Sequence, residues 1–456
     1  MRLFDALEQA ELFDEEAILV VLEEKKGVTY SKLKKYLYNL ILKALRNFHS
    51  DKNGTHQLTS CLDYIGILFN KGLFVQAKRE LDRADDILKT YDLVSYSFML
   101  ANWRKRLEFH QESRPSDNAY QLNTIIEAFG ELNEYMSGFQ MLQEFTKTTS
   151  AICSIDELPE LVRSLFHKKI DNKSSLKSTF FKARIRSIVF RLTRDNDAYL
   201  EAAREAYKIA STSTAFENED VLIYTLEPLI ELSNALLNNR LFADFKKYIK
   251  KCTPYIIASK TTINNEGKAN IDAYVNLMMS EYERRNGRKS HYEDYQNTIR
   301  VIESDPILHP SSSLKNLYYW EQINWHFTMG KFDLSVNTVD RMIKDIPDFQ
   351  TIQAAKAARW IFLFELKAYD KLKRDINENV PKSELERSLA EALVKIMDSD
   401  SIGKWMNLKK KFQQLQSINQ ERIHFKFFDF MDWINARLLG EDLHSPVKKQ
   451  LHYHHH

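Results

Sequence analysis

The feature that most narrows what this chain can become is its shortage of helix breakers. Gly occurs 11 times and Pro 9 times in 456 residues, against average usage of about 7% and 5%. These breakers fall between segments in which apolar residues recur every three or four positions, and alternating Val/Ile/Thr patterns are nearly absent. An all-α chain follows. Gly27, Gly72, Gly287 and Gly330 sit in short turns, and Pro115, Pro306, Pro310, Pro347 and Pro381 sit at segment edges. That placement predicts antiparallel helix pairs joined by short loops.

Helices are predicted near 14–25, 31–48, 58–71, 74–90, 94–112, 118–149, 156–169, 174–193 and 197–211, with 118–149 either continuous or broken between Gly130 and Gly138. A second set lies near 219–238, 241–258, 265–286, 291–304, 312–329, 332–345, 349–366, 369–379, 383–398, 402–416 and 419–438. The chain is too long for one core. It is read as an N-terminal helical segment (1–50), a polar linker from Ser50 to His56, helical blocks over 57–213 and 214–440, and a flexible tail over 441–456. His452 and His454 to His456 in that tail match a purification tag or a flexible end better than a metal site.

Composition sets bounds on function. With 65 basic against 63 acidic side chains the net charge is +2, so no global field draws the chain to nucleic acid or an anionic membrane. Asp5, Glu8, Glu11 and the Asp14 to Glu16 cluster interrupt the start where a secretory signal needs an apolar stretch, and a cytoplasmic protein is expected. No run approaches the roughly 18 consecutive apolar residues of a membrane span. Cys61, Cys153 and Cys252 are far apart and odd in number, which predicts reduced, buried thiols. A phosphate-binding Gly loop, HExxH, CxxC pairs and a nucleophile elbow are all missing from the sequence, so no enzyme activity, cofactor or metal is expected. His326, between Trp325 and Phe327, is assigned no role.

Three hairpins share one register. Gly72, Phe74, Ala77, Leu81 and Ala84 are spaced as Gly330, Phe332, Ser335, Val339 and Met342, and as Arg240, Phe242, Phe245, Ile249 and Cys252. Each has a turn residue, an aromatic two places on, then small or apolar residues keeping one helix face apolar. A weaker copy reads Asn133, Tyr135, Gly138, Leu142 and Phe145, and another ends in Tyr369, Leu372 and Ile376. This resembles the second half of the tetratricopeptide motif, a helix-turn-helix of about 34 residues closed by a proline, here Pro347. The copies are degenerate: Cys61 stands in place of the leading Trp, and spacing between copies is no clean multiple of the repeat. The resemblance implies a right-handed α-solenoid of antiparallel hairpins with a concave groove, and a non-enzymatic scaffold or adaptor that holds a peptide or partner helix.

The same resemblance places Asn234 and Asn324 where family members grip a peptide backbone, a task suited to an amide that both donates and accepts. Helical spacing sets Tyr319, Ile323 and Phe327 inward and Trp320 beside Asn324 on the groove face, as a candidate anchor. A basic patch is read at Lys177, Lys182, Arg184, Arg186, Arg191 and Arg194, within a stretch from Lys168 whose one acid is Asp171. The alternative function is nucleic-acid association or transcription regulation, through 168–194 or through the basic helix at 30–48. The leucines of that last helix point instead to burial as the first element of the array.

Overall fold

In the computed structural model the described residues are 28–49, 53–110, 118–148, 153–169, 174–216, 220–258, 265–305, 312–346, 348–416 and 428–439. The expected helix at 14–25, Pro347, the start of the 419–438 helix and the His-rich tail lie outside them. Among the described residues the fold is all-α, without a strand. None of its helices is long and apolar enough to cross a membrane. The chain divides into two compact units, Met1–Leu132 with Lys173–Lys177 and Ser213–Asn218, and Asn133–Asn172 with Ser178–Thr212 and Glu219–His456.

In the first unit, Gly54–Asn70 packs on Phe74–Thr90, which packs on Ser97–His110. Their core is Leu58, Cys61, Ile65, Ala77, Leu81 and Ala84. The first of these helices starts four residues earlier than its apolar pattern predicts. Asn53, midway along the polar linker, is extended and its side chain accepts from Thr55 N at 2.8 Å, so it becomes the N-cap and the linker's second half is helical.

In the second unit, helices adjacent in sequence pack together. Asn196–Thr212 lies on Glu227–Asn238, and that on Phe242–Ile249. Further on, Asn265–Arg285 pairs with Tyr292–Ser304, Ser312–Thr328 with Phe332–Asp345, Phe349–Glu365 with Tyr369–Glu378, and Glu384–Asp398 with Ile402–Gln416. The leading helices also touch one another, Asn265–Arg285 on Ser312–Thr328 and Phe349–Glu365 on Glu384–Asp398. A single hairpin leaves an apolar face bare, and these contacts let the next hairpin cover it. The result is a continuous core holding the fully buried Trp325, Trp360 and Trp433. Each indole N–H finds a partner at the core's edge: Ser280 Oγ at 2.7 Å, Asp375 Oδ2 at 2.9 Å and Glu365 Oε1 at 2.7 Å.

Several predicted helices break where the backbone demands it. Residues 241–258 form two helices, Phe242–Ile249 and Cys252–Ala258, and Leu222–Leu226 widens into a π turn before Glu227. Pro228 lacks the N–H that would continue the α ladder there. Residues 118–148 are one unbroken helix. The weak repeat copy at Asn133 therefore has no turn. Gly138 serves instead to let Leu165 approach the helix backbone, a place a Cβ would occupy.

The turns carry the repeat. Gly72, Asp92, Arg194, Arg240, Gly287, Gly330 and Lys367 all have positive φ, from 48° to 73°. After each one, the next N–H donates to the carbonyl five residues back: Leu73 to Leu68, Leu93 to Leu88, Asp195 to Phe190, Leu241 to Leu236, Arg288 to Glu283, Lys331 to His326 and Ala368 to Leu363, at 2.8–3.1 Å. This is the Schellman closure. Leu73, Leu93, Leu241, Lys331 and Ala368 then share φ between −83° and −90° and ψ between 55° and 65°. In four copies an aromatic follows, Phe74, Phe242, Phe332 or Tyr369. Three residues later Ala77, Phe245, Ser335 or Leu372 is fully buried. Lys367 thus supplies the turn of the copy that ends in Tyr369, Leu372 and Ile376.

Only Gly is free of side-chain strain at such a turn. Arg240→Gly and Lys367→Gly are each expected to raise unfolding stability by about 0.5–1 kcal/mol, and Gly72→Ala to lower it by about 1 kcal/mol. Arg240 gives up only an exposed pair with Asp429 at 3.8 Å, which is worth little. Urea midpoints at constant slope are the check; a loss of stability in both glycine variants would contradict the shared turn.

Candidate binding surfaces

The residues expected in a groove are placed unevenly. Asn234 and Asn324 are half-buried, but Trp320 is 4% exposed and belongs to the core with Tyr319 and Ile323. Burial removes it as an exposed anchor. The cause is the position of Ser312–Thr328, which packs against its own partner and the preceding leading helix, so little of its circumference is left to solvent.

The basic stretch is largely paired. Arg184 is 2% exposed; its Nη2 lies 2.7 Å from Glu227 Oε2, and its Nη1 donates to the Ile223 carbonyl at 3.2 Å. Arg186 meets Glu205 and Arg191 meets Glu231, each at 3.6 Å, and Lys168 meets Glu134 at 2.8 Å. Lys182 donates to the Lys168 carbonyl. Arg194 is half-buried at a left-handed turn. Lys177 belongs to the first unit, where its backbone N–H donates to Asp92 Oδ2 at 2.7 Å. Acids on other helices, invisible in the local sequence, answer most of these charges. Burial works against the Arg191 guanidinium, but Glu231, Tyr199 and Tyr274 outweigh it and hold its pKa above the ordinary value. Burial, then Glu231, pushes the Tyr199 hydroxyl well up, and that hydroxyl donates to Glu231 Oε2 at 2.8 Å.

Burial also raises all three thiols, Cys153 to about 11 and Cys252 to about 12, which leaves them protonated and unreactive at neutral pH. Among the described residues no three His, Cys, Asp or Glu side chains cluster closely enough to hold a metal ion.

Two surfaces differ from this closed pattern. The first is the helix Val28–His49, expected to be buried and found exposed. Tyr36 is 68% exposed and Leu40 50%, and Leu33, Tyr38, Ile41, Leu42 and Leu45 are each more than one-third exposed. Lys32, Lys34, Lys35 and Lys43 are exposed beside them, and the helix has no acid. An exposed apolar surface of this kind marks an interaction element.

The second is a cleft of about 370 Å³ in the second unit. Asn196–Thr212 supplies Arg204, Tyr207, Lys208 and Ser211, whose spacing puts them on one helix face. Glu227–Asn238 supplies Leu232 and Leu236, and Phe242–Ile249 supplies Asp244 and Tyr248. The Tyr207 and Tyr248 rings meet edge-on, 5.4 Å apart. Lys251 Nζ donates to the Tyr207 hydroxyl at 3.3 Å and lies 4.9 Å from the Tyr248 ring centre; Lys247 Nζ lies 5.7 Å from that centre. Sequence reading missed this site. Its signal was the run Phe245 to Lys251, four lysines in seven residues around Tyr248.

No protein-family model, curated protein or solved structure matches the chain.

Proposed function

We propose that this chain is a tetratricopeptide-like, right-handed α-solenoid acting as a non-enzymatic protein-interaction scaffold. The observation that carries the reading is the turn repeated with one closure at Gly72, Arg240, Gly330 and Lys367, followed by the same buried position three residues after an aromatic. In the second unit, leading helices that touch their successors add the stacking a solenoid needs. The turns at 194, 240, 287, 330 and 367 are separated by unequal intervals longer than the family's usual repeat of about 34 residues. "Tetratricopeptide-like" therefore describes the hairpin, with longer helices or loops between turns. Several of the displaced ionisable groups, Arg191, Tyr199, Arg284, Glu321 and Arg359, are held in structural ion pairs or hydrogen bonds, which supports a non-enzymatic role.

The exposed apolar helix Val28–His49 supplies the surface that a partner helix would cover. Affinity purification with quantitative mass spectrometry tests this, comparing the native chain with a Leu40→Ser, Ile41→Ser, Leu42→Ser variant. The same protein partners are expected in every replicate, depleted about tenfold or more in the variant. Failure to recover any reproducible partner would overturn the scaffold reading.

Nucleic-acid association is the second reading, and the four exposed lysines of that helix, with no acid among them, favour it. It requires binding that weakens steeply as salt rises. Binding insensitive to salt, or none at low salt, removes it.

A further inference from the structure

The cleft around Tyr207 and Tyr248 unites features that nothing in the fold requires. A stacked hairpin needs the apolar seam of Leu232 and Leu236, both buried. It does not need two tyrosines turned edge to edge above that seam, or cations gathered at their rims. Arg204, Lys208, Lys247 and Lys251 are exposed, and Lys247 and Lys251 lie against the ring faces, where the aromatic quadrupole holds an ammonium in place. The nearby carboxylates leave most of this charge unanswered. Glu201 reaches Arg204 at 3.8 Å as an exposed intrahelical pair, and Glu205 is turned to Arg186.

We propose that this cleft docks an acidic segment of a partner protein, with an apolar side chain seated between the tyrosines over Leu232 and Leu236 and carboxylates met by Arg204, Lys208, Lys247 and Lys251. The assignment rests on the scaffold reading and names a surface and a partner chemistry for it. Charge complementarity selects an anionic ligand. The apolar floor selects one that also carries a hydrophobic side chain. Asp244 decides between a peptide and a nucleic-acid strand. Its carboxylate lines the cleft and is exposed, and an ionised carboxylate only accepts hydrogen bonds. A peptide offers backbone N–H groups beside its acidic side chains for that carboxylate to accept, whereas a phosphodiester backbone offers none.

The test is selection of a random dodecapeptide phage library on the full chain, with measurement of the selected peptides by fluorescence anisotropy. Peptides carrying two or more Asp or Glu around an apolar residue are expected. Their affinity should fall about tenfold or more for Lys208→Glu with Lys251→Glu, both surface changes, and again when Asp and Glu in the peptide become Asn and Gln. A third variant, Tyr248→Ser, should weaken binding while leaving its salt dependence intact. Circular dichroism confirms that each variant folds. The proposal falls if no peptide is enriched, if the selected peptides are not acidic, if the charge-reversed protein binds them equally, or if a dT15 strand binds more tightly and displaces them. Partners that survive the cleft variants but vanish with the Leu40, Ile41 and Leu42 changes would sink this proposal and leave the scaffold reading standing.

Discussion

Replacing Glu321 by alanine is expected to cost about 3–5 kcal/mol of folding stability, a large share of the 5–15 kcal/mol that typically holds a domain folded. Glu321 is 2% exposed and lies on Ser312–Thr328, in the middle of the stacked hairpins. Arg284 of Asn265–Arg285 grips it with both ends of its guanidinium fork: Nη2 donates to Oε1 at 2.7 Å and Nε to Oε2 at 3.4 Å. Burial holds the Glu321 carboxyl above its usual range; Arg284 opposes that rise and Glu281 adds to it. A carboxylate so placed is tolerated because the guanidinium is there, and Arg284 in turn is held chiefly by Glu321, with Glu281 and Asp429 adding to it. Deleting Glu321 therefore leaves the Arg284 guanidinium in the core without its main counter-charge. Replacing both, Arg284→Met with Glu321→Leu, removes the desolvated charges together and is expected to recover most of the loss. Equilibrium denaturation of the three variants forms the check. A cost below about 1 kcal/mol for Glu321→Ala would mean the pair is solvated like a surface bridge.

That pair also shows which parts of the molecule were legible in the sequence. The hairpin register was, because a turn residue, an aromatic and a buried small or apolar residue answer to local demands of backbone and helix face, and Gly72, Arg240 and Gly330 carry all three. Even Arg240, which is not a glycine, takes the same left-handed conformation. Partnerships between helices were not. Arg184 reads as part of a cationic face until Glu227 and Ile223, some forty residues on, are brought against it. Trp320 reads as a groove residue until two neighbouring helices close over its side of Ser312–Thr328. The cleft fails to appear for the same reason. Tyr248 and its lysines are visible as a run, but Tyr207 joins them only when the two hairpin arms pack on Glu227–Asn238. Helical periodicity says which side of a helix is apolar; it does not say how many helices that side will meet.

His326 is expected to make the protein's stability fall as pH drops from 6.5 toward 4. Burial first, and the Lys331 ammonium second, lower its pKa from 6.5 to about 4, with Asp333 working weakly the other way. The imidazole stands beside the Tyr292 ring, and its Nδ1 lies 3.5 Å from Thr338 Oγ1. In the unfolded chain the ring takes a proton near pH 6.5; in the native chain it resists until about pH 4. Between those values the unfolded state binds more protons, so stability rises with pH across the window. The contribution is whole above pH 6.5 and is lost as pH falls toward 4, amounting to at most about 3 kcal/mol. Other groups titrate in acid too, so the decisive quantity is a difference between proteins. His326→Gln keeps a polar side chain at the site but cannot take up the proton. Its midpoint in urea should fall less than that of the native chain between pH 7 and pH 4.5. Parallel declines would show that the His326 ring is hydrated in the folded protein and that its neighbours on Phe332–Asp345 do not exclude water from it.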